Sequence, residues 1–272
     1  MLRSLYSGVS GMRGFQTKLD VIGNNIANVN TIGFKGSRVM FKDILSQTVS
    51  GVSAPDAERG GVNAQQVGLG VSMAAIDTIH TQGSAMTTNV TTDLRINGDG
   101  FFAVDTTTPS GPFLTRSGNF TLDANRNLVN ADGLHVLDAS GAPVVIDPAI
   151  VSFSIGQDGT INGIDNAGAK VTGQQLGIIT VDNPGGLEKV GGNLYRTTAN
   201  APMSAGSGNA ITTPGNAAAG AGTLVSGQLE MSNVDLTGEF TEMIIAQRGF
   251  QANSRIITTS DEVLQEVVNL KH

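Results

Sequence analysis

The two ends of the chain carry apolar residues at helical spacing, and the middle does not. Residues 2–30 place Leu2, Leu5, Val9, Met12, Phe15, Leu19, Ile22, Ile26 and Val29 along one stripe. Residues 236–268 repeat the pattern with Leu236, Phe240, Met243, Ile244, Phe250, Ile257, Leu264 and Val268. A helix with an apolar stripe must bury it against another surface. Between the stripes lies a long stretch rich in Gly, Thr, Asn and Asp, which reads as strands and turns. The expected fold class is α+β: terminal α-helices packed as a coiled-coil-like pair, with an inserted, mostly antiparallel β domain. A chain whose long helices sit at its two termini is a candidate polymer subunit, in which those helices shelter against neighbours.

Charge narrows the partners. The 272 residues carry a net charge of -7, which argues against nucleic acid, because phosphate binding needs a basic face. The charge is unevenly placed. Residues 1–40 hold Arg3, Arg13, Lys18, Lys35 and Arg38 against Asp20, a balance of +4. Residues 230–272 hold Glu230, Asp235, Glu239, Glu242, Asp261, Glu262 and Glu266 against Arg248, Arg255 and Lys271, a balance of -4. Opposite signs favour association of the two ends, within one chain or between chains. Charged residues are only 14% and aromatics 4%, with no Trp, so the β core must be built from Val, Ile, Leu and Ala. The absence of cysteine excludes disulfides, thiol catalysis and Cys-type zinc sites. No run of about 18 apolar residues suggests a membrane span, and the N-terminus lacks the apolar core of a cleaved signal peptide.

The spacing divides the chain into an N-terminal helix within 1–34, an irregular connector over 35–70, a β domain over 71–230 and a C-terminal helix within 231–272. The first helix is expected over Ser4–Asn28. Gly8, Gly11, Gly14 and Gly23 weaken it by up to about 1 kcal/mol each relative to Ala, so order is expected to come from packing on assembly. Asn24 to Lys35 ends that helix, with Gly33 suited to a left-handed cap. Its asparagines fit either a polar helix end or a corner bonded across a subunit contact. Asn97-Gly98, Asp99-Gly100, Asp132-Gly133, Asp158-Gly159 and Asn162-Gly163 read as turns. Ser50–Gly61 and residues 199–222 read as loops, the second mobile and low in complexity. The last helix starts near Asn233 or Asp235, its seam running through 236, 240, 243, 247, 250, 254, 257, 261, 264 and 268.

No catalytic constellation stands out. His80, His135 and His272 lack metal-ligand spacing. Asp123 to Asn127 opens like a calcium loop, but Leu128 replaces the required Gly and Leu134 the bidentate Glu, so a hairpin turn is expected. Gly68-Leu69-Gly70 begins a dinucleotide fingerprint and fails at Met73. The reading assigns no catalytic, metal or cofactor residue.

Long segments carry a family resemblance. LYSGVSGM (Leu5–Met12), LDVIGNNIANVNTIGFK (Leu19–Lys35) and FKDILSQ (Phe41–Gln47) resemble the N-terminal region of the bacterial flagellar axial proteins. INGDGFFAV (Ile96–Val104) and LTRSGNFTLDANRNLV (Leu114–Val129) are similar to β segments of hook and rod subunits, and Ser232–Leu270 resembles their C-terminal helix. FKDILSQ, AQRGFQANS (Ala246–Ser254) and the VNLK ending imply a hook subunit of the short Gram-positive form, with a distal rod subunit as the alternative. The resemblance implies uncleaved export by the flagellar secretion apparatus and assembly with copies of itself. It also implies contact with distal rod, hook cap and hook–filament junction proteins, with no membrane insertion. The terminal helices would form an inner tube around the export channel. Leu5, Val9, Met12, Phe15, Leu19, Ile22 and Ile26, with Phe240, Ile244, Phe250, Ile257, Leu264 and Val268, are the expected assembly contacts. Asn24, Asn25, Asn28, Gly33 and Phe34 join them on the family motif alone. A secreted β-domain adhesin that stays monomeric is the contrasting possibility.

Overall fold

A computed structural model of the chain describes residues 2–55, 60–105, 111–203 and 211–270. The chain divides into two compact units that alternate along the sequence. Unit 1 comprises residues 1–27, 37–78 and 235–272, and unit 2 residues 28–36 and 79–234.

Unit 1 contains both long helices, α1 (Leu2–Ala27) and α2 (Leu236–Asn269), so the α+β class and the helix pair hold. Asp235 caps α2, its carboxylate accepting from the Thr237 N–H at 3.1 Å. The segment 35–70, read as irregular, is instead largely paired. Strand β1 (Ser37–Asp43) is antiparallel to β4 (Val71–Thr78), and β2 (Ser46–Ser50) to β3 (Gln65–Gly68). Neither pair buries a single side chain, so no burial on one face imposes the alternation by which a strand is recognised. Of the Ser50–Gly61 loop, Ser53 bridges to Val62, and residues 56–59 lie outside the described residues.

Unit 2 is mostly antiparallel β structure. Its strands are β5 (Ala85–Thr87), β6 (Leu94–Asn97), β7 (Phe101–Val104), β8 (Phe113–Thr115), β9 (Thr121–Leu122) and β10 (Leu128–Val129). They continue with β11 (Ile150–Ile155), β12 (Thr160–Asp165), β13 (Lys170–Gln175), β14 (Ile178–Ile179), β15 (Glu188–Gly191), β16 (Leu194–Arg196), β17 (Thr223–Ser226) and β18 (Gln228–Glu230). A five-stranded sheet has the order β14-β7-β8-β16-β15, and a three-stranded sheet the order β11-β12-β13. Strands β17 and β18 return to pair with β6 and β5. Strand β7 is buried on both faces: Phe102 enters a core with Leu94, Phe120 and Ile178, while Phe101 and Ala103 enter a second with Leu114, Ile179 and Tyr195. Asp123 to Asn127 forms the expected turn between β9 and β10, closed by the Asp123 N–H on the Asn127 carbonyl at 3.0 Å.

Two local readings change. Asn162-Gly163 lies inside β12 rather than in a turn, because Ile150 packs where a side chain would stand; a Cβ on Gly163 would lie 2.6 Å from it. Residues 199–203 and 211–222 are not a mobile loop. Ala201 and Thr212 are buried, and Thr212 bridges to Ile178 in the sheet. Residues 204–210 lie outside the described residues.

Candidate assembly interface

Small residues set the seam between α1 and α2. The helices run antiparallel: Gly8 faces Ile257, Gly11 faces Asn253, and Phe15 lies over Gly249. A Cβ on Gly249 would come within 2.6 Å of the Phe15 ring, and one on Gly11 within 2.9 Å of the Asn253 amide. Ala246 is fully buried in the same line. Glycines that weaken an isolated helix thus let two backbones approach closely here. One charge pair crosses the seam, with Lys18 Nζ 2.5 Å from Glu242 Oε2, an example of the complementarity read from the two ends.

The expected contact residues fall into two groups. Ile22 is buried, and Leu5, Met12, Phe15, Leu19, Ile26, Ile257 and Leu264 are half-buried. Val9, Phe240, Ile244, Phe250 and Val268 are exposed, Ile244 at 59% and Val268 at 62%. Leu236, Ile245, Ile256, Val263, Val267 and Leu270 extend this exposed apolar surface of α2. Among the described residues, unit 1 buries only two apolar side chains fully, Ile22 and Ala246.

The asparagine corner has local tasks. Asn25 is buried; its amide donates to the Ser37 carbonyl at 2.8 Å and to Glu239 Oε1 at 2.9 Å, and its oxygen accepts from the Ser37 N–H at 3.0 Å. It therefore ties α1 to both β1 and α2 within unit 1. Burial raises the Glu239 carboxyl from its ordinary value, and the Asn25 bond opposes that shift. Asn28 accepts from the Thr31 hydroxyl at 3.1 Å, and Asn24 is exposed. Gly33 takes the left-handed conformation, φ +69°, in the turn after the helix rather than at its cap. A Cβ there would lie 2.6 Å from the Ser117 backbone nitrogen, so only glycine fits. Phe34 is buried under the Lys189 ammonium, 5.1 Å from its ring centre.

Unit 2 also holds a buried ion cluster that no sequence motif announced. Lys35 Nζ lies 2.5 Å from Glu230 Oε1 and donates to the Thr81 carbonyl at 2.7 Å. Arg116 Nη1 donates to Glu230 Oε2 at 3.2 Å, and Nη2 to the Gly98 carbonyl at 2.8 Å. The Gly83 N–H completes the Glu230 shell at 3.0 Å. Burial pushes both Lys35 and Arg116 below their ordinary pKa values, opposed by Glu230. Beside the cluster, His80 packs edge-on to Phe101 and Tyr195 at centroid distances of 5.8 and 5.6 Å. Burial, then Lys35, Lys189 and Arg116, push its pKa down from 6.5 to about 4. His135 lies on a bridge to Val129, and His272 lies outside the described residues. Among the described residues no group of three or more His, Cys, Asp or Glu is placed to hold a metal ion. No described helix is long and apolar enough to cross a membrane.

Three family models match the chain. Residues 5–35 match "Flagella basal body rod protein", residues 95–163 "Flagellar hook protein FlgE/F/G D1 domain", and residues 225–270 "Flagellar basal body rod FlgEFG protein C-terminal". The chain is 57% identical over 271 residues to the flagellar basal-body rod protein FlgG of Bacillus subtilis, covering 100% of each. It is 38% identical over 278 residues to FlgG of Borreliella burgdorferi, covering 100% of this chain and 99% of that one. The flagellar hook protein FlgE of Borreliella burgdorferi is 28% identical over 451 aligned positions, covering 100% of each.

Proposed function

We propose that this chain, which belongs to the FlgE/FlgF/FlgG family of flagellar rod and hook proteins, is a rod subunit of the basal body. Membership makes it a structural component of the bacterial flagellum. The finer assignment reverses the hook reading of the sequence. One observation carries it: the chain aligns end to end with a rod protein of its own length at 57% identity, whereas the hook protein needs 451 aligned positions at 28%. The segment FKDILSQ, on which the hook reading leaned, lies outside the three family matches, whereas full-length identity separates the two.

Copies of the chain stack into a straight tube around the export channel, at the distal part of the rod. The terminal helices line the inside, with the residues named above as contacts. Neighbouring axial proteins and the export apparatus are the further partners. The work is mechanical and the chain is no enzyme. The exposed apolar surface of α2 supports polymerisation, because monomers rarely leave such patches open to water. Electron microscopy of polymers grown from the purified chain tests the assignment. Straight, stiff tubes are expected; curved tubes would restore the hook reading, and a persistent monomer would end both.

A further inference from the structure

In unit 1, α1 presents a second face away from α2. Tyr6, Val9, Arg13 and Thr17 line it, and Val71 and Met73 of β4 form the opposite wall of a groove of about 390 Å³. The groove floor is closed by Ser10, whose hydroxyl accepts from the Val71 N–H at 3.3 Å. A Cβ on Gly70 would lie 2.4 Å from that hydroxyl, so the approach of strand to helix depends on glycine. Tyr6 is 73% exposed at the mouth. Arg3 and Arg13 form no ion pair among the described residues.

The C-terminal half of α2, with its C-cap Leu270, has the complementary character. Ile256, Val263, Val267 and Leu270 form one stripe by helical spacing, and all four are exposed. Glu262 and Glu266 run along one edge of the stripe, and neither has an ion-pair partner among the described residues. An apolar groove with unpaired cations and an apolar ridge with unpaired anions, on one molecule, are a matched pair for a head-to-tail contact between copies.

We infer that the α1–β4 groove receives the acidic end of α2 from a neighbouring copy, with Arg13 meeting the Glu262–Glu266 edge. The inference rests on the polymer reading above and assigns one of its contacts. The absence of native cysteine and tryptophan leaves simple labelling chemistry. Tyr6 is replaced by p-benzoyl-phenylalanine in the full chain, assembled basal bodies are irradiated, and the covalent dimer is digested with trypsin. The adduct is expected on the peptide that begins at Ile256. An adduct on β2–β3 or on a different protein, or a polymer that gives no dimer, overturns the contact while the polymer stands. Failure of the unmodified chain to polymerise overturns the polymer reading itself, and the contact with it. A charge exchange checks the contact without a bulky probe. Arg13→Glu should raise the concentration needed for assembly several-fold, and Glu266→Arg added to it should restore assembly; a double variant as impaired as the single one overturns the pairing.

Discussion

Glu230 is the single acid between two buried cations, Lys35 and Arg116. Desolvating three charges is costly, and carbonyls of Thr81 and Gly98 offset part of that cost by accepting from Lys35 Nζ and Arg116 Nη2, while Arg116 Nε is buried without a partner among the described residues. The cluster leaves a surplus positive charge inside unit 2, and His80 next to it feels that charge. Its folded pKa of about 4 lies below the ordinary 6.5. Between those values the unfolded chain binds a proton that the folded unit refuses, so stability falls as pH falls from 6.5 towards 4. Above 6.5 the contribution is fully present. His80→Phe keeps a ring against Phe101 and Tyr195 while removing the titration. Urea midpoints for this variant should lose the part of the decline that wild type shows between pH 6.5 and 4; parallel pH profiles for the two proteins would refute the assignment.

Helix packing shows what the sequence could and could not disclose. The lengths and ends of both helices were legible, because apolar periodicity and the Asp235 cap are local signals. The contact line was legible only in part. Ile257 lies on the expected seam and does meet α1, but the helices also meet along Ala246, Gly249 and Asn253, none of which lies on it. Small residues permit close approach and carry no hydropathic signal; Phe240 and Ile244, expected to face either the partner helix or neighbouring subunits, stand exposed in the single chain. The ion cluster was hidden for a related reason: its members are 195 and 114 positions apart along the chain, and only the fold brings them together. Ala246→Leu tests the seam. Inserting methylenes into a closed contact should destabilise the helix pair by about 1–3 kcal/mol, visible as lost helical circular dichroism at lower temperature. The same substitution at exposed Ala252, Ala252→Leu, should change little; equal effects at both positions would count against the seam.

The whole molecule joins two kinds of stability. Unit 2 owns two apolar cores, whereas unit 1 fully buries only Ile22 and Ala246 among the described residues. Stability within one chain need not be uniform, and the burial predicts the gradient. Hydrogen exchange on the unassembled protein should find amides of α1 and α2 open long before those of β7 and β14, with the difference closing in the polymer. Equal protection of helices and strands in dilute monomer would show that unit 1 needs no neighbours. The same division has a practical side. The chain has two tyrosines and no tryptophan; Tyr195 is sealed in unit 2 at 3% exposure, and Tyr6 stands open in unit 1 at 73%. Tyrosine emission therefore has one contribution from fixed surroundings, Tyr195, and one from Tyr6, which the proposed neighbour contact would cover, so elongation should be readable in real time without any added dye.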